Sequence, residues 1–393
     1  MSFTRLLLLC SAWLLALAAG CGGGGVDTGG TGAPAAAFSS GRISGFGSIV
    51  VNGVHFDESA AAIADDEGVA HAADALKLGM TVEVEAGPIR IVAGQATSTA
   101  QKVVFGSEIK GPVSSVGAGS FGVLGQTVRI DVNTVLDGLS GLADLHAGDA
   151  VEVFAFFDPA TGTYAATRIE RKSSLDAYKL VGPITGLDTA AETFAIGGAN
   201  ISYAGIPAAQ LPGLANGALA RVELQKAQQG GRWIATRIRT ALPGLLDGIA
   251  VELEGYVGGF NSLADFKVKG VTVNASGSGV EFTKGSASQI ENGARIEIEG
   301  RMKGGVLVAE KISVKKAKDG GRDDEEEFEV EGRIASVDTA AQSFQVRGVT
   351  VTFDAATVFV NGAASGLQAG ARVDVKGVLS GGRQVRATRI EFK

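Results

Sequence analysis

The chain has 393 residues, with 35 Lys and Arg against 42 Asp and Glu, a net charge of −7, and 58 Gly, 8 Pro and 2 Cys. The length allows several small domains, and the acidic balance repels phosphate backbones, which disfavours nucleic acid as a partner. A positive mean hydropathy excludes a chain disordered throughout, and abundant Gly with little Pro points to short strands joined by many turns.

Residues 1–20 read as an export leader: Arg5 supplies a positive start, and Leu6 to Leu17 form an apolar run too short to span a bilayer. The run ends in Leu17-Ala18-Ala19-Gly20-Cys21, which resembles the lipobox of bacterial lipoproteins, where the Cys receives diacylglycerol and becomes the mature N-terminus. The commonest lipobox has Leu three places before the Cys; here Ala18 stands there. Ordinary signal peptidase cleavage at Ala16-Leu17-Ala18 is the alternative. Cys10 lies in the leader, so Cys21 is the one thiol of the mature chain and no internal disulfide is expected. Removing Arg5 leaves 34 of the 35 basic residues against 42 acidic ones, a net charge of −8. Gly22 directly after the Cys resembles the outer-membrane sorting pattern of Gram-negative lipoproteins.

Residues 21–40 are Gly-, Ser-, Thr-, Ala- and Pro-rich and read as a disordered tether, spanning about 25 Å root-mean-square as a Gly-rich coil. A repeat follows. Ile49/Val51/Gly53, Phe121/Val123/Gly125, Phe194/Ile196/Gly198, Phe266/Val268/Gly270 and Phe344/Val346/Gly348 recur at similar spacing, and fixed-period self-similarity marks a repeat architecture. Each unit opens with Gly-x-Val or Gly-x-Ile, as in Gly41-Arg42-Ile43 and Gly332-Arg333-Ile334, which predicts strand one. The Phe-x-Val-x-Gly element predicts strand two, its Gly taking the second central place of a hairpin turn, where φ is positive. Alternation such as Val349/Val351/Phe353 predicts strand three.

An Ala-rich connector then leads to a Leu or Ile three places before a Gly, as in Leu76/Gly79, Leu145/Gly148, Leu214/Gly217, Ile290/Gly293 and Leu367/Gly370. Strand four follows, with apolar and charged residues alternating in Val82-Glu83-Val84-Glu85 and Ile296-Glu297-Ile298-Glu299. Strand five carries Ala-x-basic-Ile or Val, with Lys102, Arg168, Arg237, Lys311 and Arg389 as the basic residue. Five short strands in about seventy residues fit a small closed barrel of oligonucleotide/oligosaccharide-binding type. The expected fold is all-β: five tandem five-stranded small barrels over 41–107, 108–175, 179–242, 249–315 and 328–393. A charged linker at 316–327 is expected to let the last unit swing, and neighbouring units this small are expected to share stability by packing. The lipobox, the Gly-rich tether and the tandem units together resemble a bacterial family of exported repeat domains without assigned function. That resemblance implies a small β-barrel and no catalytic or binding residues.

Chemistry-bearing patterns are sparse. Gly117-Ala118-Gly119-Ser120-Phe121-Gly122 matches a dinucleotide-binding fingerprint, but it runs into another strand rather than a helix and reads as a hairpin. No Ser has Gly both two places before and two places after it, so the nucleophile-elbow signature is missing. His55, His71 and His146 have no second His at ligand spacing, and His55 reads as facing solvent. Asp323 to Glu327 form the densest acidic run, without the spacing of a Ca²⁺ loop, and read as solvated. The five strand-five cations are expected to point outward beside a strand-four Glu or Asp. Trp233 is the one Trp outside the leader, and it does not recur in register as a sugar-stacking platform would.

These residues lead to a lipid-anchored outer-membrane protein, facing the periplasm or the cell surface, that acts as a non-catalytic binding or spacer module. Cys21 is its lipidation site; its partners are the membrane through the lipid and an envelope protein or glycan, and no nucleic acid, cofactor or metal is expected. An adhesin or matrix protein is the alternative. An envelope glycan-active enzyme using Asp65, Asp66 and Glu67 is a third reading.

Overall fold

In the first unit Ala37–Phe46 pairs antiparallel with Ile49–Val51, which turns into Val54–Asp57. Val54–Asp57 runs parallel to Gln95–Phe105; that strand pairs antiparallel with Thr81–Ala86, which returns to Ala37–Phe46 and closes the circuit. The order around this barrel is one-two-three-five-four-one. Alternation determines what lies inside: Ile49, Val51, Val54, Phe56, Val82 and Val84 are buried, and the residues between Phe56 and its neighbours turn outward. In this computed structural model, which describes residues 37–240, 245–315 and 325–393, the same circuit recurs over 109–172, 178–239, 250–315 and 327–392. We number the barrels 1 to 5 in chain order. No α-helix occurs among the described residues; short 3₁₀ turns occupy the connectors.

Two of the recurring sequence signatures meet in space. The Gly of each Leu-x-x-Gly donates its N–H to the carbonyl of the third residue of the Gly-x-Ile element: Gly79 to Ile43 (2.9 Å), Gly148 to Val113 (2.8 Å), Gly217 to Ile184 (2.8 Å), Gly293 to Val257 (2.9 Å) and Gly370 to Ile334 (2.8 Å). The N–H of that third residue donates back to the residue after the Gly, as Ile43 does to Met80 and Ile334 to Ala371. These bonds close strand one onto strand four. The Gly has φ between +81° and +93° in all five barrels, a conformation that disfavours any side chain.

The strand-one Gly serves a different need. It lies inside strand one rather than at its start, and a Cβ on Gly111 would come within 2.7 Å of Leu124, one on Gly332 within 2.9 Å of Val346. Its absence makes room for the end of the strand two–three hairpin. In four barrels both central turn residues have positive φ, as at Asn52-Gly53 and Lys269-Gly270, the type I′ pattern that matches strand twist. Barrel 3 differs: positive φ falls on Gly197 and not on Gly198, which either glycine accommodates.

The barrels pack as one compact unit. Ala37–Ser40 pair in parallel with Ala250–Leu253 of barrel 4, and Gly45 and Phe46 pair with Glu329 and Val330 of barrel 5. Barrels 1 and 5 share one apolar cluster, barrels 2 and 3 another, and Phe38 of strand one enters the core of barrel 4. Three sequence expectations change here. The tether does not reach Ser40, because residues 37–40 are buried strand; the linker does not reach Glu327, which starts a strand; and the linker is not the one tie to barrel 5, because strand one of barrel 1 pairs with its first strand and the two barrels share one apolar cluster. The leader, Cys21, the tether up to residue 36 and the linker residues 316–324 lie outside the described residues.

Candidate functional site

The acidic triplet that suggested catalysis is taken apart by the fold. Asp65 accepts the backbone N–H groups of Glu67 (3.0 Å) and Val69 (2.9 Å) and lies 3.0 Å from His71 Nε2, so it caps its own loop. Burial opposes its ionisation, but His71 and the two N–H groups hold its carboxyl below the usual value. Asp66 is buried, receives Lys179 Nζ at 2.5 and 2.7 Å, and is ion-paired with Arg221, whose Nε lies 2.9 Å away. Glu67 receives Lys110 Nζ at 3.0 Å. Each carboxylate therefore faces a different partner, and the loop works as a clamp from barrel 1 onto barrels 2 and 3.

The remaining candidates are scattered. His55 is partly buried with Nε2 3.9 Å from Glu329, so it faces barrel 5 rather than open solvent. His71 packs on Phe105, ring centres 5.0 Å apart, and the exposed His146 stands 3.9 Å from Asp149. Lys102, Arg237 and Lys311 pair with strand-four residues Glu85 (3.1 Å), Glu223 (3.5 Å) and Glu299 (2.5 Å), as expected. Arg168 does not: it is buried between Glu170 and Asp137 and donates to the Leu78 carbonyl of barrel 1. Arg389 pairs with Glu391 of its own strand. Trp233 meets Tyr178 edge to face, and the Gly117–Gly122 stretch is the hairpin between two strands.

One concavity is a cleft of about 1590 Å³ lined by residues of barrels 1, 2, 4 and 5. At its floor Arg295 donates to Glu254 (2.6 Å) and pairs with Glu326 (3.1 Å), which also receives Arg42. The two guanidiniums lie over aromatic rings, Arg42 over Phe328 at 5.0 Å and Arg295 over Phe156 at 5.1 Å. Burial works against ionising Glu326, yet Arg42 and Arg295, with Lys315 and Lys284, hold its pKa down to about 2. It is a fixed anion at neutral pH and no proton donor. This corrects the expectation that the acidic run is solvated at Glu326 and at Glu325, which pairs with Arg386 at 3.6 Å; Glu327, 3.2 Å from Lys376, stays exposed, and Asp323 and Asp324 lie outside the described residues. Above the charged floor, Ile91 and Val132 present exposed aliphatic surface at the rim, at 71% and 48% exposure. Paired charges below and apolar groups above can grip a chain-like ligand, and none of the described floor groups is set up as a nucleophile with its base.

Sequence reasoning missed Arg42, Arg295 and Glu254. Strand alternation places all three outside their own barrels, and nothing local distinguishes an outward residue facing water from one facing another barrel.

The circuits define a tandem array of closed five-stranded barrels of the oligonucleotide/oligosaccharide-binding type. Three segments, 110–170, 254–313 and 331–391, match the model of one family, described as a domain of unknown function (DUF5666). They fall on barrels 2, 4 and 5; barrels 1 and 3 carry the same strand circuit outside the matched segments. No curated protein matches the chain.

Proposed function

We propose that this protein is a lipid-anchored component of the cell envelope whose barrel array is a non-catalytic binding body, and that the cleft among barrels 1, 2, 4 and 5 receives an envelope protein or glycan segment. One observation carries the binding role over a spacer role. Strand one of barrel 1 pairs with barrel 4 and with barrel 5, more than two hundred residues away in sequence. A spacer gains reach from an extended string, whereas this pairing folds the array back on itself and gathers distant segments around one concavity. The anchor rests on Arg5, the apolar run and Ala18-Ala19-Gly20-Cys21.

Two measurements test the halves separately. Growth of a Gram-negative host on labelled palmitate is expected to label the wild-type chain and not Cys21→Ser, with the wild type in the outer-membrane fraction; an unlabelled wild type overturns the anchor. Hydrogen exchange of the protein in native envelope against the purified protein is expected to slow at 42–55, 90–96 and 129–133. Equal exchange in both states overturns the cleft.

A further inference from the structure

Barrel 3 holds a group of arginines that the cleft does not use. Leu219–Leu224 and Trp233–Arg239 pair so that Arg221 stands directly opposite Arg239, and Glu223 opposite Arg237. Like charges facing each other across strands repel. Burial first, then Arg237 and Arg221, push the Arg239 guanidinium below its usual pKa. Arg221 has an outlet in Asp66 at 2.9 Å, but that carboxylate is already neutralised by the buried Lys179. Arg239 has no comparable outlet. Its Nη2, like Arg221 Nε, is buried without a hydrogen bond, and it stands 3.8 Å from Glu223, whose same oxygen also takes Arg237 at 3.5 Å.

Arg237 and Arg239 thus share Glu223 while Arg221 shares Asp66 with Lys179, so these four cations stand against two carboxylates and leave a surplus of about two positive charges in a chain of net charge −7. A planar fork of N–H groups fits the oxygens of a tetrahedral oxyanion. We propose that Arg221, Arg237 and Arg239 form an anion site that takes a phosphoryl group, whose double negative charge offsets the surplus and whose oxygens meet the solvent-exposed parts of the three partly exposed side chains. Asp66 sits one step along the same strip, so this surface already holds one oxyanion, supplied by the chain itself.

A free phosphate and a phosphomonoester lipid headgroup share this chemistry, and two arms separate them. The first titrates inorganic phosphate into the full chain at constant ionic strength, with chloride as the control. The second compares sedimentation with phosphatidylcholine vesicles carrying or lacking phosphatidic acid, so that any N-terminal lipid contributes equally to both. Saturable binding is expected in at least one arm, weakened at least about ten-fold by Arg239→Gln and unchanged by Lys226→Gln elsewhere in the barrel. Should Arg239→Gln fold poorly, Arg237→Gln, at an exposed position, is expected to weaken binding in the same arm. Binding in the first arm assigns free phosphate, and binding in the second alone assigns the headgroup. No saturable binding in either arm, or equal loss in Lys226→Gln, overturns the site.

Discussion

The seam between barrels 1 and 4 and the seam between barrels 2 and 3 meet the same electrostatic problem and resolve it differently. In the first, parallel pairing of Ala37–Ser40 with Ala250–Leu253 buries Glu252 beside Ser39 and directly across from Glu299. Burial and then Glu299 raise the Glu252 pKa to about 8, so the conflict is relieved by keeping a proton. In the second, antiparallel pairing sets Lys110 opposite Lys179, and the conflict is relieved by importing carboxylates: Glu67 and Asp66 from barrel 1, with Glu152 from barrel 2. Repetition builds the barrel interiors, whereas each seam has its own chemistry. One seam answers to pH and the other to an acidic loop.

The largest effect should come from removing that loop's central charge. Asp66→Ala leaves Lys179, 1% exposed, and Arg221 without their carboxylate, and a buried charge stripped of its partner costs about 3–5 kcal/mol. Denaturant titration should register this loss, and adding Lys179→Met should recover more than half; an unchanged midpoint for Asp66→Ala would break the comparison. Next comes Glu252→Gln. Because the folded pKa of Glu252 is raised to about 8 from 4.5, the folded chain holds a proton that the unfolded chain releases. Its contribution to stability is therefore complete at low pH and is lost as pH climbs through that window. The variant should be more stable than wild type by roughly 2–4 kcal/mol at pH 8 and about equal at pH 4, read from unfolding curves at both pH values. Parallel pH dependence in the two proteins would remove the protonated seam. The smallest change is expected for Lys102→Ala. Lys102 and Glu85 are both about half exposed, and such a pair contributes at most about 0.5–1 kcal/mol; a larger loss would show that exposed ladder pairs also matter.

Strand positions inside the barrels were legible because they rest on short periods. Phe344-x-Val346-x-Gly348 alternates core and surface and ends at a turn, and the structure places Ser343–Val346 as a strand with Phe344 and Val346 buried. Contacts between barrels have no period. Ala37-Phe38-Ser39-Ser40 has the composition of a tether, and becomes a strand because Val251 and Leu253 lie beside it from barrel 4. Glu326 sits in an acidic run that composition marks as solvated, yet its partner Arg42 is 284 residues away. Asp66 and Lys179 likewise meet across 113 residues. The cleft and the clamp both consist of such long-range pairs, so neither could be read from spacing, while the strand-five cations Lys102, Arg237 and Lys311, whose partners lie one strand over, could.

The placement of Ala37–Ser40 between two neighbours has a mechanical consequence. These four residues hydrogen-bond on one side to Glu83–Ala86 and on the other to Ala250–Leu253, and they are the first of the described residues. A pull on the N-terminal side directed along this strand would load both ladders in shear, so that many bonds share the force and must fail together. Tension from that end would meet the array at a point braced by two barrels, and could not peel it open one bond at a time.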